Sequence, residues 1–143
     1  MGKILCAIRG GEASIQTQDA AIALAKERRD ELVFLYVADV SFLNKTAAPL
    51  VVDVETELVR MGEFQLAIAQ ERATAQDMTA QVIVRRGHLR TELIAATREL
   101  EATCIVLGRP IGKTAVFDKA ALKAFVTELQ AETGSEVWIV EGD

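Results

Sequence analysis

An open, doubly wound α/β sheet is the fold this chain predicts, on three observations. Short, unbroken apolar runs alternate with helix-like stretches along all 143 residues. The runs have strand length and are rich in Ile, Val and Leu, as strands covered by helices on both faces must be. The links between them are short, which favours right-handed strand–helix–strand units with parallel strands.

The elements follow in order. Ile4 to Ile8 reads as a buried strand ended by the turn Arg9-Gly10-Gly11. Ser14 is a candidate cap for a helix that starts near Ile15 and ends near Asp30. Leu32 to Val37 is a second strand, and Asp39 to Leu50 a loop with Asn44 and Pro49. Asp53 is a candidate cap for a long helix with Val54, Leu58, Met61 and Ile68 on one stripe, ending near Gln76 or Asp77. Gly62 lies inside that helix at a cost of about 1 kcal/mol against Ala, which a close contact would explain. Gln81 to Val84 is a third strand and Arg85 to His88 a turn. Leu89, Leu93, Ala96 and Leu100 mark the third helix, and Thr103 to Leu107 the fourth strand. After Gly108-Arg109-Pro110 and an irregular stretch, Asp118 can cap a last helix with Leu122, Phe125, Val126 and Leu129 inward. Gly134 stops it, and Val137 to Val140 is the fifth strand. Strand, glycine turn, helix and strand recur in the two halves, a weak internal repeat. No linker interrupts the pattern, so residues 1–143 form one expected domain.

Composition narrows the function. Aromatics are only 5 %, so aliphatic side chains fill the core. The formal net charge is −5 with no basic run, which argues against a nucleic-acid partner. Lys26, Arg28 and Arg29 sit with Glu27, Asp30 and Glu31, which reads as a solvated helix end. Cys6 and Cys104 each sit in an apolar run and read as small buried hydrophobes. With no CxxC and no Cys/His cluster, no metal site is expected. The first apolar run is too short for a signal peptide or a membrane span, so the cytoplasm is the expected compartment.

Ligands of such a sheet bind beyond the carboxyl ends of the strands, where strand order reverses. The candidate loops are Arg9-Gly10-Gly11 and Gly108 to Thr114. Gly112-Lys113-Thr114 looks like the end of a Walker A loop, but three residues separate Gly108 from Gly112 where four are needed. Pro110 also removes an N–H from any phosphate cradle. Turn chemistry alone explains the stretch, with a small anion site at Gly112, Lys113 and Thr114 as the alternative. The one histidine, His88, stands in a turn without a nucleophile, and Glu55/Glu57 and Glu99/Glu101 face different ways on their helices. No acid–base pair suggests an enzyme. The apolar fifth strand with Trp138 should lie at a sheet edge, which favours self-association.

The stretches KILCAIRGGEASIQTQDAAIALAKERRDELVFLYVAD and VIVRRGHLRTELIAATRELEATCIVLGR resemble the universal stress protein family, the second through Gly87 after its strand and through Gly108-Arg109. The resemblance implies a five-stranded sheet of order 3-2-1-4-5, with ATP or AMP bound at the switch point in many members. This chain departs there. Arg9 aligns with the family's carboxylate at the end of strand 1. The family's G-x2-G-x9-G-[ST] pattern has Ile111 in place of its second glycine, and Lys119-Ala120-Ala121 occupies the region of its last pair. Those small residues admit phosphate to backbone N–H groups. Val37, Gly108 and Arg109 remain as matches. The expected function is a non-catalytic stress-response or regulatory module without the usual ATP cofactor, acting by dimerisation or a protein partner. The alternative is a binder of a nucleotide or other anion through Arg9, Gly10, Val37, Gly108, Arg109, Gly112, Lys113 and Thr114. The resemblance and the apolar edge together place a homodimer contact at Val137, Trp138, Ile139 and Val140.

Overall fold

A computed structural model describes residues 2–9, 12–39, 48–108 and 119–140, with side chains from 15, 54 and 120 onward in the first, second and fourth helices. The order is β1 (Lys3–Ala7), α1 (Glu12–Arg28), β2 (Glu31–Ala38), α2 (Ala48–Ala75), β3 (Ala80–Arg86), α3 (Leu89–Leu100), β4 (Cys104–Gly108), α4 (Lys119–Thr133) and β5 (Glu136–Val140). All strand pairs are parallel, in the order β3-β2-β1-β4-β5. The expected fold and strand order are what the chain adopts.

Side-chain alternation divides the core between two layers. Ile4, Cys6, Phe34, Tyr36, Cys104 and Val106 point to one face, where Ile22 and Ala25 of α1 and Leu66, Ala69 and Ala73 of α2 cover them. Leu5, Val33, Leu35, Ile105 and Leu107 point to the other, under Leu93 and Ala96 of α3 and Phe125 and Leu129 of α4. β1 and most of β2 are buried on both faces, hence their unbroken apolar sequence.

Helix starts differ most from the expectations. α1 already runs at Glu12, so Ser14 lies inside the helix and not at its N-cap position. α2 begins at Ala48, so Asp53 is also internal. Pro49 stands in the first turn of α2, where its missing N–H costs no intrahelical bond. The inward face of α2 centres on Gly62, Leu66, Ala69 and Ala73, and Met61 is 56 % exposed. β3 extends through Arg85 and Arg86, which therefore are not turn residues. Arg85 earns its place in the strand by reaching α3, with Nε 2.8 Å from Glu92 and Nη1 2.7 Å from Glu99. Its bonds to Glu99 and Glu92 hold the guanidinium protonated, and Glu99 is pulled below the usual carboxylate range by Arg85. The proposed cap Asp118 lies outside the described residues.

Candidate functional site

The carboxyl ends of β1, β2 and β4 enclose a cavity of about 260 Å³. β1 contributes Ala7, Ile8 and Arg9, β2 contributes Tyr36, Val37 and Asp39, and β4 contributes Leu107 and Gly108. Leu58 of α2 closes it from one layer, and Leu89 of α3 with Leu122 and Phe125 of α4 from the other. It therefore spans the top of the sheet where the helices that follow the neighbouring strands β1 and β4 lie on opposite faces, the position at which doubly wound sheets bind ligands.

Three candidates from the sequence meet here: Arg9, Val37 and Gly108. Gly10, Arg109, Gly112, Lys113 and Thr114 lie outside the described residues. Gly108 has a packing role as well. A Cβ there would stand 2.5 Å from Thr17 Oγ1, so only glycine lets α1 cross β4 this closely.

Asp39 was not singled out from the sequence. Its carboxylate accepts the backbone N–H of Leu89 at 2.8 Å and so caps α3 from the end of β2. His88 occupies the N-cap position itself and makes no side-chain cap bond. The carboxylate also favours the positive end of the helix dipole. Tyr36, Leu58, Leu89, Leu122 and Phe125 were equally unmarked as site residues, although Leu58, Leu89, Leu122 and Phe125 stood at recognisable apolar helix positions. Burial raises the Tyr36 phenol above its ordinary pKa.

Among the described residues the cavity wall is apolar apart from Arg9, Asp39 and the phenol of Tyr36. Among the described residues no group of His, Cys, Asp and Glu could hold a metal ion. Cys6 and Cys104 are free and fully buried, on neighbouring strands two register steps apart. Burial pushes both thiols up, Cys104 to about 11, with the Glu136 charge adding to the effect there.

β5 is a sheet edge, as expected. Val137 and Ile139 pack against the layer of Phe125 and Leu129, and Val140 against the opposite layer. Trp138 stays 43 % exposed. Its ring lies under the Arg28 guanidinium, 5.6 Å from the centroid, and its indole N–H donates to Glu136. Arg28 in turn forks onto Glu136 at 2.9 and 3.0 Å. The helix end that reads as merely solvated thus anchors α1 to β5.

The model of the universal stress protein family matches residues 1–115. The chain belongs to this family. Over 114 residues it is 28 % identical to universal stress protein YxiE of Bacillus subtilis (strain 168), spanning 74 % of this chain and 77 % of that protein. Universal stress protein UspA from Lactobacillus plantarum has the same fold, with a TM-score of 0.79 at 14 % identity over 97 % of each chain. The universal stress protein from Archaeoglobus fulgidus solved in complex with dAMP superposes with a TM-score of 0.63 at 10 % identity over 98 % of each. No described helix is long and apolar enough to cross a membrane.

Proposed function

We propose that this universal stress protein is a non-catalytic regulatory module that does not hold ATP in the family's usual way and acts by self-association or through a protein partner. The observation that carries the reading is Arg9. It stands at the carboxyl end of β1, on the cavity at the switch point, where the resemblance places a carboxylate. Exchanging an acceptor for a cation removes a partner for nucleoside hydroxyls. The missing glycines remove backbone approach to phosphate. Each lost charge-assisted bond weakens binding by about 1.5–3 kcal/mol. Two or three such losses turn micromolar into roughly millimolar affinity. Asp39, the one carboxylate among the described lining residues, is engaged as the cap of α3, which supports the non-catalytic part. The open edge of β5 supports a homodimer, and two unpaired cysteines suit a reducing compartment such as the cytoplasm. Calorimetric titration with ATP tests the reading, and a micromolar dissociation constant would overturn it.

A second reading is favoured by the cavity itself: a binder of a small anionic ligand, with Arg9, Val37 and Gly108 at its wall. The dAMP complex of the Archaeoglobus fulgidus relative supports a ligand in this family, though of that protein only.

A further inference from the structure

The cavity has a chemical character that its position in the fold does not dictate. Its walls are aliphatic and aromatic side chains drawn from both helix layers, Leu58 on one side and Leu89, Leu122 and Phe125 on the other. Among the described residues two charged ones line it, together with the phenol of Tyr36. Asp39 is committed, because its carboxylate receives the Leu89 N–H at the start of α3. That bond also occupies a donor at the N-terminus of α3. Arg9 is exposed and forms no ion pair with a described residue. The described wall therefore presents one cation without an ion pair, one fixed carboxylate and a largely apolar interior.

A polyphosphate fits this poorly. Among the described lining residues several negative charges would meet one guanidinium with Asp39 nearby, and like charges brought together in a low-dielectric cleft are costly. A single negative charge is balanced by Arg9, and an apolar body is balanced by the walls. We infer that the cavity binds an amphipathic monoanion, a single carboxylate on an apolar hydrocarbon body, with Arg9 at the rim holding the carboxylate and Leu58, Leu89, Leu122 and Phe125 enclosing the body. This rests on the small-ligand reading and goes beyond it by naming the ligand class. The exposed position of Arg9 suits such a ligand, since the charged head keeps partial hydration while the tail leaves water.

The test is calorimetric titration of the full chain with decanoate, decanol and AMP at one ionic strength. Decanoate should bind about tenfold more tightly than decanol, the usual scale of one charge-assisted bond at a partly solvated site. AMP should bind more weakly than decanoate. Arg9→Ala should erase the preference for decanoate over decanol and leave decanol unchanged, while Arg9→Lys should restore part of it. Leu122→Glu, which puts a like charge on the wall, should abolish decanoate binding. If that variant loses its circular dichroism, the Arg9 pair decides alone. A preference that survives Arg9→Ala, or no binding of decanoate, overturns the inference. AMP binding that depends on Arg9 and exceeds decanoate overturns it too, while sparing the small-anion reading. Silence from all three probes removes both.

Discussion

Gly62 of α2 lies directly against the ring of Tyr36 on β2, so close that a Cβ at position 62 would overlap Cδ1, Cε1 and Cγ. The contact seats α2 on the sheet at the level of the cavity, since Tyr36 and Leu58 both line it. It also accounts for a glycine in mid-helix. Gly62→Ala would recover about 1 kcal/mol of helix propensity. The methyl must displace a largely buried ring, and overpacking costs about 1–3 kcal/mol. The variant should therefore be destabilised, with a lower urea midpoint at unchanged slope. In a Tyr36→Ala background the same change should be neutral or stabilising, because the two residues act as one contact. A stabilised Gly62→Ala single variant would show that the ring yields freely.

Asp39 makes a second local prediction. Its bond to the Leu89 N–H satisfies a helix donor that His88 leaves open. Asp39→Ala should cost about 1 kcal/mol, the usual scale of a lost N-cap, and Asp39→Asn clearly less. Equal losses in thermal unfolding would mean that the oxygen does not act as a cap.

These two relationships show where the sequence was legible and where it was not. Strand order and layer count rest on apolar runs such as LVFLYV, whose meaning is local and survives any loop arrangement. A cap such as Asp39 is fifty residues from the helix it serves, so no local pattern marks it. Ser14 and Asp53 carried the right chemistry at positions the helices overran. At Ala48–Ala75 the burial stripe is set by contact with β2 and β3, and a helical wheel drawn from Val54 put exposed Met61 inside. Arg9 and Gly108 were visible because strand ends are predictable in this fold. The apolar wall that surrounds them comes from three helices, and its convergence is a property of tertiary packing alone.

The two cysteines give a pH prediction. In the folded protein both thiols are pushed up by burial, Cys104 to about 11, while an unfolded chain ionises near 8.5. The unfolded state therefore releases protons first as pH rises. Stability from this source is complete below about pH 8.5 and declines through the range up to the folded value. Urea midpoints of the unmodified chain should fall between pH 8.5 and 11 more steeply than those of a Cys6→Ala, Cys104→Ala double variant. Thiol labelling at pH 8 should follow global unfolding. Labelling faster than unfolding would place at least one thiol at the surface.

The last prediction concerns β5. One edge of the strand is paired with β4 and the other is free among the described residues. Val137 and Ile139 are half-buried against the α3/α4 layer, so Ile139→Lys would disturb that packing as well as any contact at the edge. Trp138 is the informative position. It is 43 % exposed and held flat by Arg28 and Glu136, a rigid aromatic surface beside an open strand edge. Pairing this edge with its copy across a two-fold axis would satisfy the unpaired backbone groups and cover the indole, and such a contact closes on itself. Trp138→Glu should then give a folded monomer by light scattering, with circular dichroism unchanged. Val140→Pro, at the end of the strand, should weaken the dimer by removing one backbone donor. Arg28→Ala should loosen the indole and weaken the dimer less than Trp138→Glu, because it removes the support and leaves the edge. An unmodified chain that is monomeric at high micromolar concentration would rule out β5 as a self-association edge and leave it for a different strand or partner.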